Sequence, residues 1–313
     1  MFNRDLSTRP IDALIKEHLF SIYQTKEMKS FLEWYKDNRS KYGIKFKGCD
    51  DSYWVFYEVL SENLANISDK NLDLLMKNLS KNIKKGEKAS FKKAAIFNTA
   101  VYNTIIAIED YLESTNKLND IIKETLFNGK NTYINFVNIK NNKIQSRDEI
   151  MADRISYLAK NKDNKIIVWA HNAHISNKIL VDNEIGIMGR DLKEEFGTDY
   201  HSIGLMTLKG NFSYIDEKFI NGDHLYAEKL EKSTIEASEF PLWEKKLALN
   251  GNAFYLNLLA LKKELQTDDI IGSSKFIGYG KESSKDIYTI TLLKYFDSLL
   301  FIENTNATTP LFN

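Results

Sequence analysis

Apolar residues recur at helical spacing from the first residues onward: Ile11, Leu14, Ile15, His18, Leu19 and Ile22, then Met28, Phe31, Leu32 and Trp34-Tyr35 after a predicted N-cap at Thr25. Between Gly43 and Gly48 apolar and polar residues alternate, which predicts a short strand running into Asp50-Asp51. From about Tyr53 to Asn128 the helical pattern is nearly unbroken, with a start at Ser68-Asp69 and a Leu72/Leu75/Leu79/Ile83 stripe. Beyond it the period changes. Residues 131–139, with Tyr133, Ile134, Phe136, Val137 and Ile139, read as a strand, and residues 147–160 as an amphipathic helix. Residues 165–170 form a continuous apolar run, the pattern of a strand buried on both faces.

A helix over 188–196 stops at Gly197; a strand over 200–208 leads to a turn at Lys209-Gly210-Asn211, and strand-like pieces follow at 253–258, 275–279 and 298–302. Strands alternating with helices predict an α/β protein with a mostly parallel sheet flanked by helices and a helical subdomain or lid. The expected parts are 1–52, with N-terminal helices and a strand, the helical 53–130, and a main α/β domain over 131–313. Gly278-Tyr279-Gly280 lacks the rest of a dinucleotide fingerprint and reads as a turn.

Composition narrows the function. The 313 residues carry 43 Lys+Arg against 43 Asp+Glu, a formal charge of zero, so the chain has no overall footprint for a nucleic acid. Apolar residues make up 43%, which places the chain among folded proteins. One cysteine, Cys49, fits a reducing compartment, and the charged start shows neither a signal peptide nor any membrane-long apolar run. The expected location is the cytoplasm. Only six basic residues are Arg, and Arg147, Arg154 and Arg190 lie within one stretch. A planar fork is something Lys cannot imitate, so each Arg is informative.

The densest chemistry follows the apolar run: Trp169-Ala170-His171-Asn172-Ala173-His174. Sites in α/β sheets gather at the carboxyl ends of strands, which makes His171 and His174 candidate catalytic residues, with Asn172 and Trp169 beside them to meet the substrate. Neutral imidazole serves as a base or as a donor to a developing oxyanion without any cofactor. A metal bound by the HxxH pair is the alternative, weakened by the lack of a nearby Cys, an HExxH helix or an obvious third ligand. Arg147, at a helix start with Ser146 as N-cap, is placed to hold a carboxylate or steady an oxyanion. His18 reads as a core residue, and His201 and His224 have no supporting context.

Ser146-Arg147-Asp148 with Met151-Ala152, the Trp169-to-His174 segment, Gly189, Leu192, Phe196-Gly197, Ile203-Gly204 and Gly210 together resemble the erythromycin esterase family. Lys26-Glu27-Met28, Glu33-Trp34, Asn38 and Gly48-Cys49-Asp50 agree in order, as do Ile277-Gly278-Tyr279, Tyr295 to Leu300 and Thr308 to Leu311. The resemblance implies a metal- and cofactor-free hydrolase that opens macrolide lactones, and so confers antibiotic resistance, by His-assisted attack of water in a cleft beside a helical lid. It implies His171, His174 and Arg147 as catalytic residues and Asn172, Trp169 and Asp50 as substrate-binding ones, with a small-molecule ester or lactone as partner and no membrane or nucleic acid.

The family also carries a Gly-Glu-x-x-His-Gly motif near its start, whose His is the general base; here the only Gly-Glu is Gly86-Glu87, followed by Lys88-Ala89-Ser90. The chain is therefore expected to lack the family's first strands, as a fragment, a displaced start or one part of a split protein. The alternative function is that of a non-catalytic remnant or a small-molecule-binding protein of the same fold.

Overall fold

The computed structural model of the protein describes residues 5–51, 55–139, 143–161, 163–179, 187–220, 223–235 and 242–312. It divides into two compact units, one built from the chain up to Lys47 together with the chain from Ile166 on, the other from Gly48–Lys165.

The first unit opens with α1 (Ile11–His18) and α2 (Lys26–Tyr42). Thr25 caps α2 by accepting from the Met28 N–H, as its sequence position predicts, and Gly43 ends the helix at φ 65°. The strand expected after Gly43 does not form. The Tyr35 hydroxyl takes the place of a neighbouring strand, accepting from Phe46 N at 3.0 Å and donating to the Ile44 carbonyl at 3.4 Å.

In the second unit α3 (Phe56–Leu64), α4 (Lys70–Glu87), α5 (Phe91–Ser114), α6 (Asp120–Asn138) and α7 (Arg147–Ala159) form an all-helical body. Leu60, Leu79, Val101, Ile105, Ile108, Leu112 and Leu126 are fully buried in one core, with Leu72, Leu75 and Ile83 of the predicted stripe against it. Asp69 caps α4 through Asn71 N and Leu72 N and also receives the Tyr111 hydroxyl and the Lys117 ammonium, each at 2.7 Å. The Lys117 hydrogen bond is the main reason its carboxyl lies far below the ordinary range. The strand expected over 131–139 is instead the second half of α6. Asn119 caps that helix, and Ile122, Leu126, Gly129 and Tyr133 line one face at helical spacing against the core, which outweighs the β preference of the aromatic and branched residues at its end. Gly129 admits the Phe56 ring so closely that a Cβ there would lie 2.3 Å from it.

The remainder of the first unit follows as α8 (Asn172–Ile175), α9 (Ile187–Phe196), β1 (Ile203–Ile220), β2 (Asp223–Ile235), α10 (Trp243–Ala248), β3 (Ala253–Asn257), α11 (Leu258–Leu265), β4 (Ile271–Lys275), β5 (Ile287–Thr291), α12 (Leu292–Tyr295) and β6 (Ser298–Thr305). The helix stop at Gly197 is as predicted, with φ 55°. The class is mixed α/β, but among the described strands only the β1–β6 pair is parallel. The four-stranded sheet runs β2-β1-β6-β3, its other pairs are antiparallel, and β4 and β5 form a separate hairpin.

The turn expected at Lys209-Gly210-Asn211 is a point inside β1 where the strand changes partners: Gly210 is the last residue in register with β6 and the first in register with β2. Its φ of 121° and the 2.1 Å from its notional Cβ to the Thr305 carbonyl oxygen explain the glycine. Of the strand expected over 275–279, only Lys275 belongs to β4.

Leu299, Phe301, Phe296 and Leu258 are buried on one side of the sheet. The opposite side leaves Ile203, Leu205, Tyr255, Leu300 and Ile302 exposed, Leu205 and Tyr255 each by 55%. Leu205 and Tyr255 both stand opposite Leu300 in the register, so these side chains form a continuous apolar row across three strands. Residues 165–170, expected as a strand buried on both faces, pair with no strand among the described residues, and Ile167 is 96% exposed. At the β1 edge, the backbone N–H and carbonyl of Leu205 bond instead to the Asn172 side chain. No described helix is long and apolar enough to cross a membrane.

Candidate functional site

His171 stands at the N-cap of α8, where its Nδ1 accepts from the Ala173 N–H at 3.2 Å. That bond places the ring proton on Nε2, which donates to the Ile277 carbonyl at 3.0 Å. Burial pushes the ring's pKa below its ordinary value; the Ile277 carbonyl opposes this and neighbouring His174 adds to it. His171 is thus a neutral ring with both nitrogens held by backbone. His174, one turn further along α8, lies edge-on to it with ring centroids 6.5 Å apart.

Asn172 bonds twice to one residue of β1: its amide nitrogen donates to the Leu205 carbonyl at 2.6 Å and its oxygen accepts from Leu205 N at 2.9 Å. A carboxamide has the same donor–acceptor pair as a peptide group, so it mimics the next strand at that edge. This fixes the start of α8, and with it both histidines. Trp169 is 67% exposed and meets the Phe31 ring edge-on at 6.3 Å, while Phe31 stacks on Trp34 and touches Phe46. The first unit therefore holds His171, His174, Asn172 and Trp169, with aromatic surface from α2.

The second unit holds Arg147 and Asp50. The guanidinium grips the carboxylate bidentately, Nε to Oδ1 at 2.6 Å and Nη2 to Oδ2 at 2.7 Å. Partial burial acts to raise the Asp50 carboxyl, but the hydrogen bonds and charge of Arg147 outweigh it and hold the pKa below the ordinary value. Ser146 caps α7 in a reciprocal capping box with Glu149. Arg154, on the same helix, is buried and donates through Nη2 to the Asp51 carbonyl, the Asn128 carbonyl and the Thr132 hydroxyl, each at 3.0 Å.

Two polar groups in the first unit are missed by sequence reasoning. Asp297 is buried at the end of α12, where it receives Lys193 Nζ at 3.0 and 3.1 Å, Ser202 N at 2.9 Å and Asn177 Nδ2 at 3.2 Å. His201 has a context after all: its Nε2 lies 2.9 Å from Ser298 Oγ, which is 2.6 Å from the Tyr255 hydroxyl. The signal for both was the Tyr295-to-Leu300 segment, whose partners lie about a hundred residues away in sequence.

The family model for erythromycin esterase matches residues 4–305. Erythromycin esterase type II of Escherichia coli is 36% identical over 83 residues, which cover 24% of this chain and 20% of that protein, so the match spans about a fifth of the curated relative's length. Among solved structures, a succinoglycan biosynthesis protein superposes with a TM-score of 0.74 at 18% identity, over 99% of this chain and 78% of that one. A Bacillus cereus protein gives 0.74 at 17% identity, over 100% and 79%. A variant of the erythromycin esterase EreC in its open conformation gives 0.55 at 16% identity, over 91% and 75%. These likenesses show the shared fold, and the match across residues 4–305 places the chain in the erythromycin esterase family.

Proposed function

We propose that the chain hydrolyses a carboxylic ester or macrolide lactone by His-assisted attack of water. The observation that carries this reading is the pair of histidines on α8, one locked as a neutral tautomer and the other beside it. His174 takes the proton of the attacking water as its oxygen bonds to the ester carbonyl carbon. The tetrahedral oxyanion then collapses, the C–O bond to the alkoxide breaks, and the alkoxide recovers the proton from the imidazolium, leaving an acid and an alcohol. His171 positions the short helix and adds no charge next to the imidazolium. Trp169, Phe31 and Trp34 supply apolar wall for a large lactone. Asn172 serves the substrate indirectly, by fixing the helix. In the second unit Arg147 is taken up by the Asp50 carboxylate, and no step of the reaction is assigned to that pair. With a macrolide as substrate the activity is one of antibiotic resistance, and the single Cys49 fits work in the cytoplasm.

The second reading, binding without turnover, draws on the fact that both ring nitrogens of His171 are engaged. Incubating the purified chain with a macrolide and a panel of simple esters, and following the gain of one water by mass spectrometry, separates the two. We expect turnover that His174→Ala lowers by roughly 10²–10⁴-fold in kcat/KM. A folded wild type that turns over none of them leaves the binding reading in place, and a fully active His174→Ala overturns the assignment of the base.

A further inference from the structure

The zero net charge of the chain hides a local imbalance. From Leu74 to Ile108 seven lysines stand against a single acidic residue, Glu87. Six of them, Lys77, Lys81, Lys84, Lys85, Lys88 and Lys93, surround one concavity of about 740 Å³ within the helical unit, where the end of α4 and the start of α5 meet. All six are exposed, and among the described residues none forms an ion pair with a carboxylate. We propose that this basin is a binding site for a compact, multiply phosphorylated anion.

A solvated basic face explains part of the pattern, since Lys84 and Lys85 sit in the last turn of α4, where cations complement the helix dipole. It does not explain why Lys77, Lys81 and Lys88 continue the same helical face, or why Lys93 of the next helix joins them. With Glu87 the one acid among them in the sequence, these ammonium groups repel one another, and a multivalent anion removes that repulsion. The start of α5 adds to the potential independently. Its N-cap, Ser90, makes no side-chain capping bond and its first turn holds no acid, so the positive end of a 24-residue helix adjoins the lysines uncompensated.

Residue type and extent narrow the class. The depression is shallow and open, and its six ammonium groups fall within one patch at the α4–α5 junction, an extent that suits a compact ligand rather than the long face a duplex or a bilayer needs. The cations are all lysines, mobile point charges suited to several phosphate groups, with no planar fork for a carboxylate. Tyr57 and Phe97 line the same hollow, with Lys85 Nζ 5.4 Å from the Phe97 ring centre.

The test is calorimetric titration of the full chain with inositol hexakisphosphate at low and moderate salt, beside the K81Q/K84Q/K88Q variant and a control, K36Q/K232Q/K263Q, with circular dichroism to confirm folding. We expect saturable binding that weakens with salt, falls by at least ~10-fold in the basin variant and is unchanged in the control. Vesicles with and without a phosphoinositide distinguish the source. Vesicle binding that the free hexakisphosphate displaces identifies a lipid headgroup, and its absence beside tight free binding identifies a soluble ligand. No binding, equal binding by the basin variant, or binding only to duplex DNA or phosphatidylserine vesicles that the hexakisphosphate cannot displace overturns the proposal.

Discussion

The helical unit and the sheet-bearing unit solve the burial of apolar surface differently. In the first, α5 carries Val101, Ile105, Ile108 and Leu112, and its neighbours α4 and α6 cover them completely. In the second, Leu299 and Phe301 are buried on one side of the sheet while Leu205, Leu300 and Tyr255 on the other remain exposed. A helix satisfies its own backbone and needs only a stripe of partners. A sheet needs partners at two faces and two edges, and here one edge is met by a single Asn172 side chain. The candidate histidines follow directly from that improvised edge, whereas the basic basin sits on the closed bundle.

Truncating one apolar side chain in each unit sharpens the contrast most. Ile105→Ala should cost roughly 2–5 kcal/mol in denaturant unfolding, whereas Leu205→Ala, on the bare face, should change stability by no more than about 0.5 kcal/mol. Equal losses would break the comparison. Next in size is Asn172→Asp, which removes the donor to the Leu205 carbonyl and sets a charge beside it; a loss of about 1–3 kcal/mol is expected, read by urea titration, with a parallel fall in any hydrolysis. Retention of both would show that the carboxamide does not hold α8.

The smallest effect concerns pH. His171 has a lowered folded pKa, so its contribution is fully present above the unfolded value near ~6.5 and is lost as pH falls below that value toward the folded one. Thermal melts from pH 8 down to 5 should show this loss in the wild type and less of it in His171→Asn. The same slope in both would assign it elsewhere.

Local features were legible in the sequence. Thr25, Asp69 and Ser146 announce helix starts, Gly197 a stop, and the Leu72-to-Ile83 stripe a buried face, because each depends on neighbours within a turn. The errors came where a distant partner decides. Residues 131–139 look like a strand until the core is there to receive Tyr133, and residues 165–170 look like a central strand although no described strand flanks them. Site composition was legible, but its bonding was not: the Ile277 carbonyl that fixes His171 is 106 residues away and Asp50 is 97 from Arg147. Counting charge over the whole chain concealed the basin, because lysines clustered along α4 are offset by acids elsewhere.

The change of partner at Gly210 also sets an order of assembly. The later half of β1 pairs with β2, which follows almost at once, but its earlier half waits for β6, reached only after five further elements of secondary structure from α10 to β5 and then α12. On the ribosome the helical unit and the β1–β2 hairpin can form while Ile203 to Lys209 still lack that neighbour, and loop closure makes this long-range pairing the slow event. Translation thus leaves the backbone of this half of β1 without its neighbour until the strand that completes it emerges.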